Sequence, residues 1–175
     1  MHDRTDAELV AACQKGEVEA YSTLVRRHSR QVFAICLGTT GHISDSEDLA
    51  QEILVKGFRQ ITGLRDGTRF AAWIAQIARN RCHDFIRVQG RRRELLRREA
   101  AVAAEENEPQ EPDHTDLHIA LERLPEEYRL PLMLYYFDGQ SAESVARALE
   151  MSPAGAYTRL SRARRELRRL LEEQA

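Results

Sequence analysis

The sequence has very little lysine for a chain with so many basic residues. Lys15 and Lys56 are the only lysines among 26 basic residues in a chain of 175. The remaining basic residues are arginines, which suit bidentate contacts with phosphate and guanine. A GC-rich genome produces the same bias, so the arginine content by itself does not decide between the two causes.

Cysteines are few, and long apolar runs are missing. The three cysteines, Cys13, Cys36 and Cys82, are widely spaced and form no CxxC pair. This pattern argues against a disulfide framework or a zinc site and predicts buried free thiols. No apolar stretch reaches the roughly 18–20 residues of a membrane span, and no charged-then-apolar leader opens the chain. We therefore expect a cytoplasmic protein.

Strand patterns are also missing, whereas helix signals recur along the chain. Thr5-Asp6-Ala7-Glu8 and Ser44-Asp45-Ser46-Glu47 both fit the capping box that opens a helix. Gly16 follows the first predicted helix, where a left-handed residue ends it. Pro125 marks the start of another predicted helix in the second half of the chain. The sequence predicts an all-α fold.

The net charge of −2 hides two segregated blocks of charge. Residues 87–98 contain six arginines and one glutamate, whereas residues 99–116 contain seven acidic residues and no lysine or arginine. The acidic block has no periodic apolar face and includes Glu-Pro-Gln-Glu-Pro, as expected of a solvated linker. We therefore predict two helical domains, 1–98 and 117–175, on a flexible acidic tether formed by 99–116.

The second domain carries a helix-turn-helix pattern. Ser141 and Ser152 are placed to cap its two helices, and Pro153 occupies a first turn, where it costs no hydrogen bond. The residues expected to form its small core are Val145, Leu149, Leu160, Leu167 and Leu170. The residues left available to a polyanion are Thr158, Arg159, Arg162, Arg165 and Arg169. A short helix, a tight turn and a basic second helix fit the DNA major groove.

Residues 46–52 place acids at and beyond a helix start. Carboxylates in a first turn stabilise the positive end of the helix dipole, which is one sufficient explanation. Glu52, however, lies past the first turn, and Asp48 stands four residues before it, where like charges disfavour the helix slightly. The stripe therefore suggests a basic partner surface. A divalent-metal carboxylate site is a weaker alternative, because no histidine or further acid has matching spacing.

A helix rich in aromatic residues follows a glycine-containing loop at 63–68. Phe70, Trp73 and Phe85 are first explained as core, because they recur along one helix face. The same helix also carries arginine, asparagine and aspartate at 79, 80 and 84. Aromatic surfaces beside such polar groups favour binding of single-stranded DNA, which remains the alternative.

Four motifs in order resemble those of an extracytoplasmic-function (ECF) sigma factor, a bacterial promoter-recognition subunit. The motifs are Ser-Asp-Ser-Glu-Asp-Leu-Ala-Gln-Glu, Phe-Ala-Ala-Trp-Ile-Ala-Gln-Ile-Ala-Arg-Asn, Leu-Pro-Glu-Glu-Tyr-Arg-Leu-Pro-Leu and Arg-Leu-Ser-Arg-Ala-Arg-Arg-Glu-Leu. The resemblance covers residues 8–171 except the linker. It implies a sigma region 2 domain, a sigma region 4 domain and an acidic linker that threads the polymerase interior.

The resemblance also implies binding sites and partners. The residues matching the segment that binds the clamp helices of the polymerase β′ subunit are Asp48, Leu49, Gln51 and Glu52. Those expected at the minus-ten promoter element are Leu64, Arg65, Asp66, Gly67, Thr68, Arg79, Asn80, Asp84 and Arg87. Those expected at the minus-thirty-five element are Tyr157, Thr158, Arg159, Ser161, Arg162, Arg164 and Arg165. The implied partners are core RNA polymerase, contacted at the β′ clamp helices and the β flap, promoter DNA and an anti-sigma factor, with no cofactor and no catalytic residue.

Some positions depart from the family pattern, and other functions stay open. The family usually has a basic residue at the positions of Gln76 and Tyr157, and a Thr-Val or Ala-Val pair where Gly155-Ala156 stands. One alternative function is a stand-alone helix-turn-helix regulator that binds operators as a dimer. Another is a carboxylate-based metal enzyme built on the acidic residues Asp45, Glu47, Asp48 and Glu52.

Overall fold

Helices form the regular structure throughout the part of the chain that the computed structural model describes. That part is residues 4–100 and 116–174, with the backbone alone at 97–100. The N-terminal domain contains α1 (Asp6–Gln14), α2 (Val18–Thr40), α3 (Ile43–Gln60) and α4 (Phe70–Ala100). The C-terminal domain contains α5 (Asp116–Arg123), α6 (Glu126–Leu132), α7 (Ala142–Ala148) and α8 (Pro153–Glu172). The all-α prediction is confirmed for these residues, whereas most of the predicted linker at 99–116 lies outside them.

Local sequence signals set several of the observed helix ends. The Thr5 hydroxyl accepts from the Glu8 amide at 3.3 Å, while the Thr5 amide donates to the Glu8 carboxylate at 2.6 Å, so the first predicted capping box is confirmed. Gly16 follows α1 with a φ of +94°. Gly41 ends α2 with a φ of +84° and donates its amide to the Leu37 carbonyl. Glycine suits these ends because it adopts the left-handed conformation at no steric cost.

The second predicted capping box, at 44–47, is wrong. Helix α3 begins at Ile43 and follows an extended His42 that makes no side-chain cap. Ser44 and Ser46 consequently lie inside the helix. The buried Ser46 hydroxyl donates instead to the His42 carbonyl at 2.5 Å and lies 2.8 Å from the Thr40 hydroxyl. A serine inside a helix bonds back to a preceding carbonyl in this way.

The core of the N-terminal domain lies where α2, α3 and α4 meet. Leu24, Ile53 and Ile74 have no exposed surface, and Phe70 is 1% exposed. The buried Tyr21 hydroxyl donates to the Leu54 carbonyl at 2.5 Å, which satisfies a polar group that burial would otherwise leave unpaired. This rigid three-helix packing fixes the positions of the exposed faces of α3 and α4.

The C-terminal domain forms the predicted helix-turn-helix. Ser141 caps α7 and Ser152 caps α8, each through its side-chain oxygen, and Pro153 is the first residue of α8. A π-helical segment, Met133–Phe137, continues α6 after the internal Pro131. The predicted core is confirmed, since the residues that are buried or packed against it include Val145, Leu149, Leu160, Leu167 and Leu170.

The two domains also contact each other. Helix α2 packs against α6 and against the π-helical segment, and the Phe33 and Phe137 rings lie 5.0 Å apart across the contact. The sequence predicted two domains joined by a tether and made no prediction about contacts between them. The structure therefore adds an interface that the helix patterns did not indicate.

Candidate nucleic-acid and partner-binding surfaces

The exposed side of α8 brings together part of the predicted minus-thirty-five set. Thr158, Ser161, Arg162 and Arg165 are all exposed, and their spacing of three, four and seven residues places them on one face of the helix. The opposite side is buried through Ala156, Leu160, Ala163 and Leu170. Helix α8 therefore has a polar, arginine-rich face exposed to solvent and an opposite apolar face packed in the domain core.

The other three predicted residues of α8 lie at the flanks of this face. The Tyr157 hydroxyl donates to Glu143 of α7 at 2.8 Å, which raises the pKa of Tyr157 and lowers the pKa of Glu143. Arg164 donates to the Tyr136 hydroxyl at 2.7 Å, and its guanidinium lies 5.4 Å from the centre of that ring. Arg159 is half-buried and faces α6 across a cleft. These partners could not be predicted from the sequence, because each lies on another element.

The predicted minus-ten loop is held in place by α1. The Gln14 side-chain amide donates to the carbonyls of Ile61 and Leu64 at 3.1 and 2.8 Å. Asp66 accepts from the Thr68 amide and hydroxyl at 3.0 and 2.6 Å, and these hydrogen bonds lower the pKa of Asp66. A β-carbon on Gly67 would lie 2.8 Å from the Ala7 backbone, so glycine allows this close approach. Contacts with α1 therefore hold the loop near both of its ends.

Helix α4 presents a polar face beside this loop. The Gln76 amide donates to the Asn80 side chain at 2.8 Å, and Arg87 pairs with Asp84 at 2.8 Å. These residues share one side of the helix because they recur at three- and four-residue intervals. Arg79 lies at the edge of this face, where it donates to Gln76 at 3.0 Å and to the Ala148 carbonyl of α7 at 3.2 Å.

The loop and α4 converge on one cleft of about 430 Å³, hereafter the Trp73 cleft. Trp73 is half-buried and lies in the cleft wall, so it is neither a fully buried core residue nor a free surface residue. The residues lining the cleft are Leu64, Arg65, Asp66, Arg69, Ala72, Trp73, Gln76, Arg79 and Glu150. An aromatic ring between arginines and amides suits a nucleobase with its phosphate. The loop and Arg79 were predicted from the sequence, whereas Arg69 and Glu150 were not, because neither belongs to a recognisable motif.

The predicted polymerase-binding residues lie on α3. Asp48, Gln51 and Glu52 are exposed, whereas Leu49 is 2% exposed and packs in the core. Leu49 therefore supports this face from beneath and offers no surface to a partner. Glu52 forms a bidentate pair with Arg81 of α4 at 2.7 and 2.8 Å, and this pairing lowers the pKa of Glu52. We call the surface of Asp48, Gln51 and Glu52 the acidic face of α3.

A cluster of metal-binding side chains and a membrane-spanning helix are both absent from residues 4–100 and 116–174. No group of three or more His, Cys, Asp or Glu side chains is placed there to hold a metal ion. None of the helices in the same ranges combines the length and the apolar character needed to cross a membrane.

Comparison with known proteins identifies the two halves of the chain. The family model of sigma-70 region 2 matches residues 24–92, and that of sigma-70 region 4 matches residues 114–167. The first match contains the acidic face of α3 and all the residues that line the Trp73 cleft except Glu150, which lies in the second match. The second contains the helix-turn-helix and the exposed face of α8.

Individual sigma factors resemble the chain over most of its length. It is 34% identical over 169 residues to the probable RNA polymerase sigma factor RfaY of Xanthomonas campestris pv. campestris, with 90% of this chain and 41% of RfaY aligned. It is 31% identical over 165 residues to the ECF RNA polymerase sigma factor SigE of Mycolicibacterium smegmatis, with 90% of this chain and 64% of SigE aligned. The chain thus spans less than two thirds of the length of either relative.

A solved structure supports the fold. The sigma factor RpoE from Bartonella quintana, crystallised with the anti-sigma factor NepR, aligns with a TM-score of 0.63 and 23% identity over 87% of this chain and 96% of its own. Both region models match in order along a helical chain whose relatives include a named ECF sigma factor. This protein therefore belongs to the extracytoplasmic-function family of RNA polymerase sigma factors.

Proposed function

We propose that this protein is a dissociable sigma subunit that binds core RNA polymerase, directs it to particular promoters and assists the melting of promoter DNA. The observation that carries the proposal is the presence, in one chain, of two separate surfaces suited to DNA. These are the exposed face of α8 and the Trp73 cleft. Reading a duplex with one domain and holding a single strand with the other is what promoter recognition and melting require.

The exposed face of α8 is the proposed reader of the minus-thirty-five element. Arg162 and Arg165 project from a helix of major-groove dimensions, and arginine donates two hydrogen bonds to the O6 and N7 atoms of guanine. Thr158 is suited to a base edge or a thymine methyl group. Tyr157 and Arg164 are engaged at the flank of the helix, which suits contacts with phosphate at the edges of the footprint.

The Trp73 cleft is the proposed site for an unstacked base of the minus-ten element. Removing a base from the duplex costs a few kcal/mol, and stacking on an aromatic ring returns about 1–3 kcal/mol per base. Trp73 supplies the aromatic surface, while Gln76 supplies amide groups for the base edge. Arg65 and Arg69 at the cleft rim are placed to neutralise the phosphates. The cleft thereby lowers the cost of melting without any bond-making step.

The acidic face of α3 is the proposed docking site for the β′ clamp helices. Asp48 and Glu52 are both exposed and repel each other across one helical turn. A basic partner would relieve this repulsion. Arg81 already pairs with Glu52, so a basic partner shares that carboxylate with Arg81 or replaces it. The chemistry of transcription stays with the polymerase, and we assign no catalytic residue and no cofactor to this chain.

An apolar groove in the C-terminal domain is the proposed docking site for the β flap. The groove has a volume of about 400 Å³, and its apolar lining comes from Leu117, Leu132, Leu167 and Leu171. Tyr136, which is 60% exposed, stands at its edge. A short amphipathic helix laid into such a groove is a common mode of protein recognition.

Regulation by an anti-sigma factor in the cytoplasm completes the proposal. The sigma factor RpoE from Bartonella quintana was crystallised with the anti-sigma factor NepR. We infer a regulator of the same kind for this chain, one that covers DNA- or polymerase-binding surfaces until its release.

Run-off transcription from a promoter library tests the proposed function. Purified bacterial core polymerase is assayed with and without this protein, and the transcripts are sequenced. We expect transcripts that depend on the protein and whose promoters share two upstream elements. Direct binding to core without any transcript would reduce the proposal to a polymerase-binding protein.

The stand-alone helix-turn-helix regulator predicts different behaviour in a simpler experiment. Such a regulator binds its operator tightly as a dimer and needs no polymerase. It would also leave the Trp73 cleft and the acidic face of α3 without a role. Size-exclusion chromatography and operator selection on the free chain therefore separate it from a sigma subunit.

A further inference from the structure

Arg129 is a buried arginine that joins the two domains. Its side chain belongs to α6 in the C-terminal domain, and the residue is 6% exposed. Its guanidinium donates to the carbonyls of Gly38 and Thr39 in α2, both at 2.9 Å. Within its own domain it donates to the carbonyls of Leu121, Glu122 and Leu124 at 3.1, 3.1 and 2.9 Å. One side chain thus ties the end of α2 to the α5–α6 connection.

The carbonyls that Arg129 binds in α2 are ones that the helix itself leaves unpaired. Helix α2 ends at Thr40, so the carbonyls of its last turn have no amide from a following turn. Gly41 satisfies Leu37, and Arg129 satisfies Gly38 and Thr39. This end also carries the negative pole of the helix dipole, which favours a cation. The contact is therefore matched in hydrogen bonding and in charge.

The surfaces around Arg129 fit closely. A β-carbon on Gly38 would lie 2.7 Å from the Leu130 Cα atom, so the two helices approach through the missing side chain. Leu130 is 9% exposed. The His42 ring lies 3.1 Å from the Glu122 carboxylate across the same interface. Close backbone approach with satisfied polar groups is typical of a specific interface.

The interface places the turn between α7 and α8 over the Trp73 cleft. Arg79 donates to the Ala148 carbonyl at the end of α7. Glu150, in the turn itself, has a φ of +53° and lines the cleft together with Arg65 and Gln76. A carboxylate in the cleft wall repels the phosphates of a DNA strand, and the turn forms this part of the wall.

We propose that the free chain is held in a closed arrangement by the insertion of Arg129 into the end of α2, and that this closure excludes DNA from the Trp73 cleft. Opening separates α6 from α2, removes Glu150 from the cleft and releases Arg79. The identity of the excluded ligand rests on the proposed function, whereas the closure itself rests on the contacts alone. The excluded ligand is a single-stranded nucleic acid.

Gly38→Ala provides a selective way to open the interface. Alanine is favoured over glycine inside a helix, so α2 itself is not weakened. The added methyl group collides with Leu130 of the other domain. The matched control is Gly90→Ala in α4, where an added β-carbon meets nothing within 4 Å. A second variant, Phe137→Ala, removes the ring that packs on Phe33 while sparing the domain cores, because Phe137 is 44% exposed.

Two measurements on the full chain without polymerase test the proposal. Small-angle X-ray scattering reports the radius of gyration, which we expect to increase in Gly38→Ala and Phe137→Ala and to stay at the parent value in Gly90→Ala. Fluorescence anisotropy with a labelled random-sequence 20-nucleotide single strand reports access to the cleft. A minor open state of about 10% or less limits the parent affinity, so opening raises the affinity about tenfold or more.

Each outcome decides a different part of the proposal. An unchanged radius of gyration in both interface variants, with helicity by circular dichroism at the parent level, would overturn the closure. If Gly38→Ala proves unfolded, Phe137→Ala alone decides. Expansion without a gain in DNA affinity would overturn the exclusion of DNA. Expansion of the Gly90→Ala control would mean that the effect does not come from this interface. Since scattering does not depend on promoter activity, a chain inactive in run-off transcription still leaves the closure testable.

Discussion

Several side chains proposed to bind DNA or polymerase already have partners within the chain. Glu52 is paired with Arg81, Tyr157 with Glu143, and Arg164 with Tyr136. Such exposed pairs contribute little by themselves because water screens them, so a stronger partner displaces them readily. At the scale of the residue, the proposed binding is therefore an exchange of partners, in which an internal pair gives way to a contact with DNA or polymerase.

Glu52→Arg tests the acidic face of α3. We expect the variant to lose binding to core polymerase, because it places a cation beside Arg81 where the proposed partner is also basic. The fold should stay intact, since Glu52 is an exposed residue. Binding is measured by biolayer interferometry with immobilised core, and the fold is checked by thermal melting.

Glu19→Arg is the matched control for that prediction. Glu19 is an exposed residue in the first turn of α2 and is not part of the acidic face of α3, and the substitution changes the net charge equally. Unchanged core affinity in Glu52→Arg, or an equal loss in both variants, would remove the assignment of the acidic face.

Arg162→Ala tests the exposed face of α8. We expect promoter binding by the holoenzyme to weaken by about 1–3 kcal/mol, or roughly 5- to 150-fold, if Arg162 reads a base. The loss should depend on the base opposite Arg162, which a set of single-base promoter variants reveals in filter-binding assays. Arg123→Ala is the control, because Arg123 is an exposed arginine of the same domain that lies on α5, outside both the exposed face of α8 and the lining of the apolar groove. An equal loss on every promoter would reassign Arg162 to a phosphate contact.

At the scale of the element, the short helix α1 holds the loop at 63–68, which is predicted to meet the minus-ten element. Its capping box fixes where the helix begins, and its last residue, Gln14, binds two carbonyls across the loop. Gly67 then brings the far end of the loop against Ala7. The loop is consequently ordered before DNA arrives, which reduces the entropy lost on binding.

Gln14→Ala should impair melting more than initial promoter binding. The variant removes two hydrogen bonds, each with a net value of about 0.5–1.5 kcal/mol, so the ordered loop becomes roughly tenfold less favoured. Open-complex formation by the holoenzyme is followed with 2-aminopurine in the minus-ten element, and promoter binding is followed by filter retention.

Gln60→Ala is the control for the loop prediction. Gln60 is an exposed glutamine at the end of α3, close to the loop in sequence. Equal melting in the parent, Gln14→Ala and Gln60→Ala would show that the anchoring of the loop has no part in melting.

The continuation of α6 also matters at this scale. Pro131 lies inside α6 and cannot donate to the preceding turn, and the chain continues as a π-helical segment at Met133–Phe137. This segment brings Phe137 against Phe33 and Tyr136 against Arg164. An irregular stretch of helix therefore supplies both the interdomain contact and the flank of α8.

At the scale of the whole molecule, the two surfaces proposed to bind DNA are built mainly on separate domains, each with a small contact area. Their affinities combine when polymerase holds both domains at promoter spacing, because the second contact then becomes intramolecular. The proposed closed arrangement opposes this gain in affinity, because it holds the two domains against each other instead of at promoter spacing. Core polymerase and closure thus compete for the same domains.

The free chain should therefore bind promoter DNA at least about a hundredfold more weakly than the holoenzyme does. Fluorescence anisotropy with one labelled promoter fragment, at fixed salt, compares the free chain with the chain bound to core. A promoter that lacks its minus-thirty-five element is the control and should reduce the difference. Equal affinity in the two states would favour a stand-alone regulator.

The sequence by itself determined the helical class and most of the helix ends. Capping residues such as Thr5, Ser141 and Ser152 bind backbone amides within four residues of themselves, so they can be predicted from the sequence. The same holds for the face of α8, whose periodicity separates Arg162 and Arg165 from the buried leucines. The capping box at 44–47 failed because α3 begins one residue before Ser44.

Only the tertiary structure decided which side chains meet across elements. Glu52 and Arg81 are 29 residues apart, and Arg129 and Gly38 are 91 residues apart, so no local pattern records either contact. Leu49 matched a motif, yet packing buried it, and the Trp73 cleft required loop, helix and turn together. The sequence specifies local geometry because short-range hydrogen bonds and apolar periodicity repeat along the chain. The closed arrangement depends on tertiary structure, because carbonyls that α2 leaves unpaired at its end accept hydrogen bonds from Arg129 of the other domain.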